Sequence, residues 1–270
     1  MEKSVERTQR TVIKLSLGLL IGIILLIAAI WGGHDLYVRW QEKRLVARAM
    51  FDIEKGDARS ASLAARTILE MKPSSAAAAR IMAQLAEALG ERSALEWRRK
   101  VAQLQPESVP DKLALAKTAL QFNDIATAER TLATIDENDK TAGYHATCAL
   151  LAQAKRQDEK ADNEWSQAVQ LAPEDKSYQL QQATLRSRST DAARRAAGEA
   201  TLNALRADPK QRSFATRALI SAAMVHHENP QNVLELARDL KGYPEATWSD
   251  RLLYLDLLHG PPPRARVPMF

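Results

Sequence analysis

The sequence predicts an all-α protein in which one N-terminal transmembrane helix precedes a repeating helical array. Three observations lead to this prediction. The 270 residues include only 10 Gly and 5% aromatic residues, while Ala, Leu, Gln, Arg and Glu are abundant, a balance that favours helix over strand. A long uncharged apolar stretch lies near the N-terminus. Beyond it, small residues recur at a nearly constant interval, which indicates a structural repeat.

Residues 12–33 form the predicted membrane anchor. No charged residue occurs from Leu15 to Gly33, and about 20 apolar residues in a helix cross the hydrocarbon core of a bilayer. Trp31 stands at the far edge, where an amphipathic ring suits the interface. The apolar run is longer than the roughly 7–15 residues of a signal peptide, so we expect an uncleaved anchor after a short tail of residues 1–11.

The orientation of this anchor follows from its flanking charges. Four basic residues lie at or before its near edge, namely Lys3, Arg7, Arg10 and Lys14, and four follow it, namely Arg39, Lys43, Arg44 and Arg48. The N-terminal set lies nearer the membrane, and a long domain is translocated largely regardless of its charge. We therefore expect the N-terminus in the cytoplasm and the array outside it, which in a bacterium means the periplasm.

A repeat of about 34 residues follows the anchor. Small residues recur with spacings of 33, 34, 33 and 36 residues, at Ala61, Ala94, Ala128, Ala161 and Ala197. Seven residues after each stands another apolar or small residue, at Ile68, Val101, Ile135, Ala168 and Ala204. Five residues further on lie the expected repeat ends, at Pro73, Pro106, Lys140, Pro173 and Pro209. Four of these five are proline, which does not continue a helix.

This pattern resembles the tetratricopeptide repeat, which has a period of 34 residues and consists of two helices. In that family the two helices are antiparallel, and small residues let the second pack closely on the first. The resemblance covers residues 35–209, about five repeats. The small residue expected on the first helix is present at Ala49, Ala116 and Ala149, whereas Met82 and Leu185 depart from it. The resemblance implies an α-solenoid of stacked helix pairs.

Local signals for helix ends agree with this repeat. Asp57, Asp124, Asp158 and Asp191 stand where second helices are expected to begin, and Asp is a favoured N-cap residue. Residues 210–259 retain helical patterns at 213–227, 231–240 and 247–258 but lose the small-residue marks, so we predict degenerate helical repeats there.

The C-terminal end carries two further features. Residues 260–270 contain three consecutive prolines and predict an extended tail. The apolar run at 252–258 would leave one helix face uncovered. It could pack back on the array, bind a partner, or continue a longer natural array.

We predict no catalytic residue, no cofactor and no metal site. His226 and His227 are adjacent, so on a helix they point about 100° apart and form a poor metal pair. The single cysteine, Cys148, has no disulfide partner. His145 precedes it by three residues on the same helical face, but packing on a repeat helix accounts for both. The net charge of +5 is spread over interspersed acidic and basic residues and does not form a basic block.

By analogy with the family, the first helices of the pairs would line a concave groove that holds peptide segments or helices of partners. The candidate groove residues are Lys43, Lys117, Gln153, Gln179, Gln182 and Arg186. This weakly basic, amide-rich set could bind backbone and carboxylate groups of an extended peptide. The pattern of basic residues and Asn with which some family members hold a C-terminal carboxylate is not reproduced, so we do not predict that ligand.

We therefore predict a membrane-anchored scaffold or adaptor that binds protein partners, and not an enzyme. One alternative is an accessory or truncated part of a larger envelope enzyme or secretion system. A second alternative is a nucleic-acid-binding helical repeat. It would need basic side chains in regular register on one face, and only Lys117 and Arg186 fit. The sequence leaves the identity of the partner and the oligomeric state open.

Overall fold

The computed structural model of the protein describes residues 36–259. Within this range the regular elements are helices and no strand occurs, which confirms the predicted all-α class. The predicted membrane anchor at 12–33 and the tails at 1–11 and 260–270 lie outside the described residues. Over the range that is described, no helix is both long and apolar enough to cross a bilayer.

The helices are short and follow one another closely along the described range. Helix α1 covers residues 36–54, and a 3-10 turn at Glu137–Asp139 lies between α6 and α7. The other helices are α2 (Ala58–Met71), α3 (Ala76–Ala88), α4 (Ser93–Leu104), α5 (Val109–Gln121), α6 (Ile125–Leu132), α7 (Ala142–Ala154), α8 (Asp158–Leu171), α9 (Lys176–Ser187), α10 (Ala192–Leu205), α11 (Arg212–Val225), α12 (Pro230–Gly242) and α13 (Trp248–His259). Contacts divide the chain after Asp111 into a first and a second compact unit.

Alanine dominates the core of the first unit. Ala49 of α1, Ala61 and Ala65 of α2 and Ile81 of α3 are almost inaccessible to solvent and form one cluster. Met82, which departs from the small-residue pattern, is partly buried and packs against this cluster. Since alanine side chains are small, the helix backbones can approach closely, which explains why so few large side chains are needed here.

The second unit is built from helix pairs that pack on their neighbours. Helices α7 and α8, α9 and α10, and α11 and α12 form the pairs, and α8 packs on α9, α10 on α11, and α12 on α13. Trp165 of α8 is fully buried against Ala146 and Ala149 of α7. Leu202 and Leu240 are the corresponding large buried residues of α10 and α12.

One turn geometry recurs after the first helix of a pair. Gly56, Gly90, Asn123, Arg156 and His227 have φ angles of 77°, 67°, 59°, 58° and 53°. In each case the next residue donates its backbone N–H to the carbonyl five residues earlier, as Asp57 does to Asp52 and Gln157 does to Ala152. This is the hydrogen bond of a Schellman motif, in which a left-handed residue ends a helix. The first four of these positions are 34, 33 and 33 residues apart, so the backbone conformation repeats with the same period as the small residues of the sequence.

Three of the four expected N-caps are confirmed. The side chains of Asp57, Asp124 and Asp191 accept hydrogen bonds from the backbone N–H groups of Ser60, Thr127 and Arg194. The prediction for Asp158 is wrong by one position. Asp158 is the first residue of α8, and Gln157 occupies the N-cap without a side-chain hydrogen bond. In its place, Asp158 and Glu159 put negative charge at the positive end of the helix dipole.

The fifth repeat departs from the sequence register by one residue. Ala197 and Ala204 are exposed, whereas Gly198 and Leu205 are buried. A Cβ atom on Gly198 would lie 2.5 Å from the backbone N of Ser187 and 2.7 Å from the carbonyl O of Ala183. The backbones of α9 and α10 therefore touch at Gly198, which is the small residue of this pair.

Candidate partner-binding site

The six candidate groove residues lie on helices of both units. Lys43 is exposed on α1 of the first unit. In the second unit, Lys117 is exposed on α5, while Gln153 on α7 and Gln179, Gln182 and Arg186 on α9 are partly buried. Gln153 and Arg186 line one cleft of about 590 Å³. Two of the predicted residues therefore belong to the same concave surface.

This surface, which we call the α7–α10 cleft, lies between the turns of two successive helix pairs. The end of α7 and the start of α8 form one wall, and the end of α9 with the start of α10 forms the other. The lining residues are Gln153, Asp158, Glu159, Asp162, Leu185, Arg186, Arg188, Ser189, Thr190, Asp191 and Arg194. Its volume lies within the range of about 300–1,000 Å³ that is usual for ligand sites.

An early start of α10 creates the second wall of the cleft. The capping residue Asp191 precedes the packing position Gly198 by seven residues, whereas Asp57 precedes Ala61, and Asp124 precedes Ala128, by four. Helix α10 therefore has almost one additional turn before it crosses α9. Arg194 on that turn reaches across to Glu159 of α8, with 3.8 Å between Nη2 and Oε1.

A hydrogen-bonded network forms the floor of the cleft. Arg186 donates from Nε to Asp162 Oδ1 at 2.6 Å and from Nη2 to Oδ2 at 3.2 Å. Gln182 donates from Nε2 to the hydroxyl of Ser166 at 2.7 Å. Because the Arg186 guanidinium already binds an internal carboxylate, it is not the free carboxylate receptor that the sequence analysis expected. A partner carboxylate would have to compete with Asp162 for it.

Charges of both signs line the rim. Asp158 and Glu159 are exposed on the α8 side, and Arg188 and Arg194 lie on the α10 side. Arg188 donates from Nη2 to the hydroxyl of Ser221 at 2.9 Å, and this hydrogen bond holds its side chain in place. Because the hydroxyl is uncharged, it does not neutralise the positive charge of Arg188. Asp158 and Glu159 therefore lie on one side of the cleft and Arg188 and Arg194, with Asp191 between them, on the other, and Arg194 approaches Glu159 across it. This arrangement suits a polar segment that carries both charges.

The sequence analysis missed the α10 side of this cleft. Arg194 belongs to it because α10 begins early, with Gly198 rather than Ala197 at the helix crossing, whereas Arg188 is the C-cap residue of α9. A glycine inside a helical pattern was the available signal, since such a residue often marks close backbone packing. The expected α10 N-cap, Asp191, is also a lining residue.

Gln179 lies apart from the α7–α10 cleft. Its Nε2 donates to the carbonyl of Pro173 at 2.7 Å and so ties α9 to the turn before it. With Lys176 and Asp208 it lines a smaller cleft of about 300 Å³. Lys176 and Asp208 form an ion pair of 2.6 Å there, and the hydrogen bond from Lys176 lowers the pKa of the Asp208 carboxyl.

An acidic groove lies between α10, α11 and α12. Its volume is about 300 Å³, its floor includes Leu219 and Leu236, and its acidic residues are Glu199, Glu228, Glu235 and Asp239. Arg206 forms a 2.7 Å ion pair with Asp239 at its edge. This surface would repel the phosphates of a nucleic acid.

The one suggestive pair of reactive side chains has a packing role. His145 Nδ1 lies 2.9 Å from Glu164 Oε2, so the imidazole contacts α8. Burial raises the pKa of the Cys148 thiol, and burial together with the hydrogen bond to Cys148 raises the pKa of Tyr144 to about 12. A thiol with a raised pKa is a poor nucleophile at neutral pH. In the part of the chain that the structure covers, no cluster of three His, Cys, Asp or Glu side chains could hold a metal ion.

Comparisons with solved structures identify the fold. No protein-family model matches the sequence, and no curated protein matches it significantly. PilW, a widely conserved type IV pilus biogenesis factor, is 13% identical over 80% of this chain and 98% of its own, with a TM-score of 0.65. A tetratricopeptide repeat protein from Parabacteroides merdae is 13% identical over 81% of this chain and 99% of its own, with a TM-score of 0.56.

A third similar structure is much longer than this chain. It is a chain of the APC/C hetero-tetramer Cut9–Hcn1, 13% identical over 80% of this chain, with a TM-score of 0.65. This protein spans 43% of that chain. At such low identities the likeness concerns the fold alone, and it shows that the described helices have the fold of tetratricopeptide-repeat structures.

Proposed function

We propose that this protein is a membrane-anchored adaptor that binds segments of partner proteins in the α7–α10 cleft. The observation that carries the proposal is the cleft itself, a concavity of about 590 Å³ that is lined by Asp158 and Glu159 on one side and by Arg188 and Arg194 on the other. Its open shape and polar lining suit an extended peptide better than a small apolar ligand. The fold supports this use, since a similar chain occurs in the Cut9–Hcn1 hetero-tetramer, an assembly of different proteins.

The geometry of the cleft indicates how such a segment would bind. A basic side chain of the partner would lie against Asp158 and Glu159, and an acidic one against Arg188 and Arg194. The amide of Gln153 would donate to, or accept from, the peptide backbone between them. Exposed ion pairs are each worth at most about 1 kcal/mol, so we expect modest affinity and charge-dependent specificity.

A crosslinking experiment tests this site. A photoreactive amino acid in place of Arg188 should form adducts with a partner in cells, and the same residue in place of Arg238 should not. Arg238 is an exposed arginine of α12 outside the cleft and serves as the matched control. Equal adducts at both positions, or none at Arg188 in a folded protein, would contradict the assignment of the cleft.

We place the cleft on the outer side of the membrane, with residues 12–33 as the anchor and the N-terminus in the cytoplasm. The uncharged span and its flanking charges support this orientation. A reporter that is active only outside the cytoplasm, fused after Phe270, should be active. If that reporter is inactive and a cytoplasmic reporter at the same position is active, the orientation is the reverse of the one we propose. This result would not affect the peptide-binding proposal, which the crosslinking experiment tests.

Two alternatives make different predictions. As an accessory part of a larger envelope or secretion system, the protein would be recovered in a stable complex with an enzyme and would be inactive as an adaptor without it. As a nucleic-acid-binding repeat, it would bind RNA with an affinity that falls steeply with salt. The structural features of the second unit argue against RNA, since Arg186 is paired with Asp162 and the groove between α10 and α12 is acidic.

A further inference from the structure

Helix α1 has two apolar faces, and within the described residues only one of them is covered. Val46, Ala49 and Ile53 face the core of the first unit. On the other side Leu36 is 69% exposed, Trp40 56% and Phe51 53%. The exposed residues 36, 40, 47, 50 and 51 follow the spacing that places side chains on one side of a helix. They form an apolar stripe along α1 that is interrupted by the exposed Lys43 and ends at the exposed Glu54, and we call it the outer stripe.

Positive charge accompanies the outer stripe. Lys43 and Arg44 are exposed on this side of α1, and the Arg44 guanidinium lies 5.6 Å from the centre of the Trp40 ring. The Lys55 ammonium lies 4.2 Å from the centre of the Phe51 ring. Large aromatic and apolar side chains flanked by Lys and Arg are the composition of a helix that lies in a membrane interface.

Glu42, the acidic residue nearest Trp40 along α1, faces the protein, whereas Glu54 at the far end of the helix is exposed. Glu42 accepts hydrogen bonds from the hydroxyl of Ser75 at 2.5 Å and from the Lys72 ammonium at 2.9 Å. These contacts lower the pKa of Glu42 against the opposing effect of burial, and they hold its charge on the inner side of α1. The charge that α1 presents around Trp40 is therefore cationic, which complements an anionic phospholipid surface.

Covalent geometry places this face near the proposed anchor. Residue 36 is three residues from Gly33, so the two Cα atoms are at most about 11 Å apart in any conformation of the chain. The polar layer on each side of a bilayer is about 5–8 Å thick. If Gly33 lies at the edge of the hydrocarbon core, Leu36 lies within or next to the headgroup layer.

We infer that the outer stripe of α1 binds the surface of an anionic phospholipid bilayer. The inference rests on the proposed function in that it takes residues 12–33 as the anchor, and it adds a second contact with the membrane. Anchor and stripe together would fix the first unit against the bilayer, rather than leaving it attached by one flexible point.

A fluorescence experiment on the full chain tests this contact. An environment-sensitive dye is attached to a single cysteine, introduced as Ala47→Cys in the outer stripe or as Ser74→Cys in the exposed turn between α2 and α3. The native thiol is removed by Cys148→Ser. The labelled chains are reconstituted in phosphatidylcholine vesicles with and without phosphatidylglycerol, and carbonate extraction reports separately on the anchor.

We expect the emission of the dye at position 47 to shift to the blue and to be quenched by a lipid-borne quencher. The shift should increase with the phosphatidylglycerol content and should not occur at position 74. The double substitution Lys43→Glu with Arg44→Glu should abolish the shift while the chain stays resistant to carbonate. Equal, solvent-like emission at both positions would overturn the inference even if the anchor is inserted. A shift at position 47 that occurs without lipid and grows with protein concentration would assign the stripe to a second copy of the chain instead. Extraction by carbonate would refute the anchor alone.

Discussion

At the scale of single residues, Gly198 determines the geometry of the candidate site. Its missing side chain lets the backbones of α9 and α10 touch, and this contact sets how far the first turn of α10 extends past the crossing. Arg194, which lies on that turn, lines the cleft as a result. Gly198 therefore positions Arg194, a residue that we propose to bind a partner.

Substituting Gly198 tests this role. Gly198→Ala should lower the free energy of unfolding by about 1–3 kcal/mol, as overpacked core positions do, because its Cβ would lie 2.5 Å from the backbone of α9. Gly242→Ala is the matched control, since its Cβ would meet no atom within 4 Å. We expect that change to stay within about 0.5 kcal/mol. Urea denaturation measures both, and equal effects would mean that α9 and α10 do not touch at Gly198.

At the scale of elements, bidentate ion pairs hold successive first helices together. Arg217 of α11 donates from Nε and Nη2 to Asp250 of α13 at 2.8 and 2.6 Å. Arg80 makes the same pair with Asp111 in the first unit, again at 2.8 and 2.6 Å. In both cases the aspartate is the third residue of its helix and is nearly buried. The contact is thus a recurrent part of the repeat in this chain.

The attachment of α13 should depend on pH. Hydrogen bonds from Arg217 hold the pKa of Asp250 far below its ordinary value, and those from Arg212 lower the pKa of Glu245 to about 2. Both folded-state values lie below the unfolded values of about 4, so the stabilisation is present above pH 4 and is lost as the pH falls towards 2. The protection of the α13 amides against hydrogen exchange, relative to the unfolded chain at the same pH, should therefore fall over this range before that of the α9 amides.

Asp250→Asn should release α13 already at neutral pH. The substitution leaves Arg217 without its carboxylate, so the protection of the α13 amides should be lower at neutral pH and should fall less between pH 4 and 2, where only Glu245 of the two still titrates. Asp256→Asn is the control, since Asp256 is exposed on the same helix. Unchanged exchange in Asp250→Asn would show that packing of Leu253 and Tyr254 on α12 suffices to hold α13.

Local chemistry explains which elements could be predicted. Helix-forming composition and the small-residue period indicated the helices, and aspartates at expected starts indicated three of four N-caps. Asp158 failed because Asp is favourable both as an N-cap and in the first turn. Gly198 was missed because Ala197 fits the sequence pattern equally well, and only contact with the α9 backbone distinguishes them. The cleft depends on that tertiary contact and was therefore beyond pattern analysis.

At the scale of the whole molecule, we propose that three parts of the chain have separate roles. The uncharged span at 12–33 would hold the chain at a membrane, the outer stripe of α1 would place the first unit against the lipid surface, and the second unit would carry the partner site. The charged side chains of the floor, Arg186 and Asp162, bind each other, and those of the rim are exposed to a partner. Function would then reside in selective binding.

The measurement that most directly tests this account is the affinity for the partner that crosslinks at the α7–α10 cleft. Arg188→Glu with Arg194→Glu should weaken binding at least about tenfold, or ~1.4 kcal/mol, because both changes reverse the positive edge of the cleft. Arg238→Glu, the same charge reversal at one exposed position outside the cleft, should leave the affinity within about twofold. Equal affinities of the double variant and the unchanged protein, with the fold intact, would contradict the claim that this cleft binds the partner.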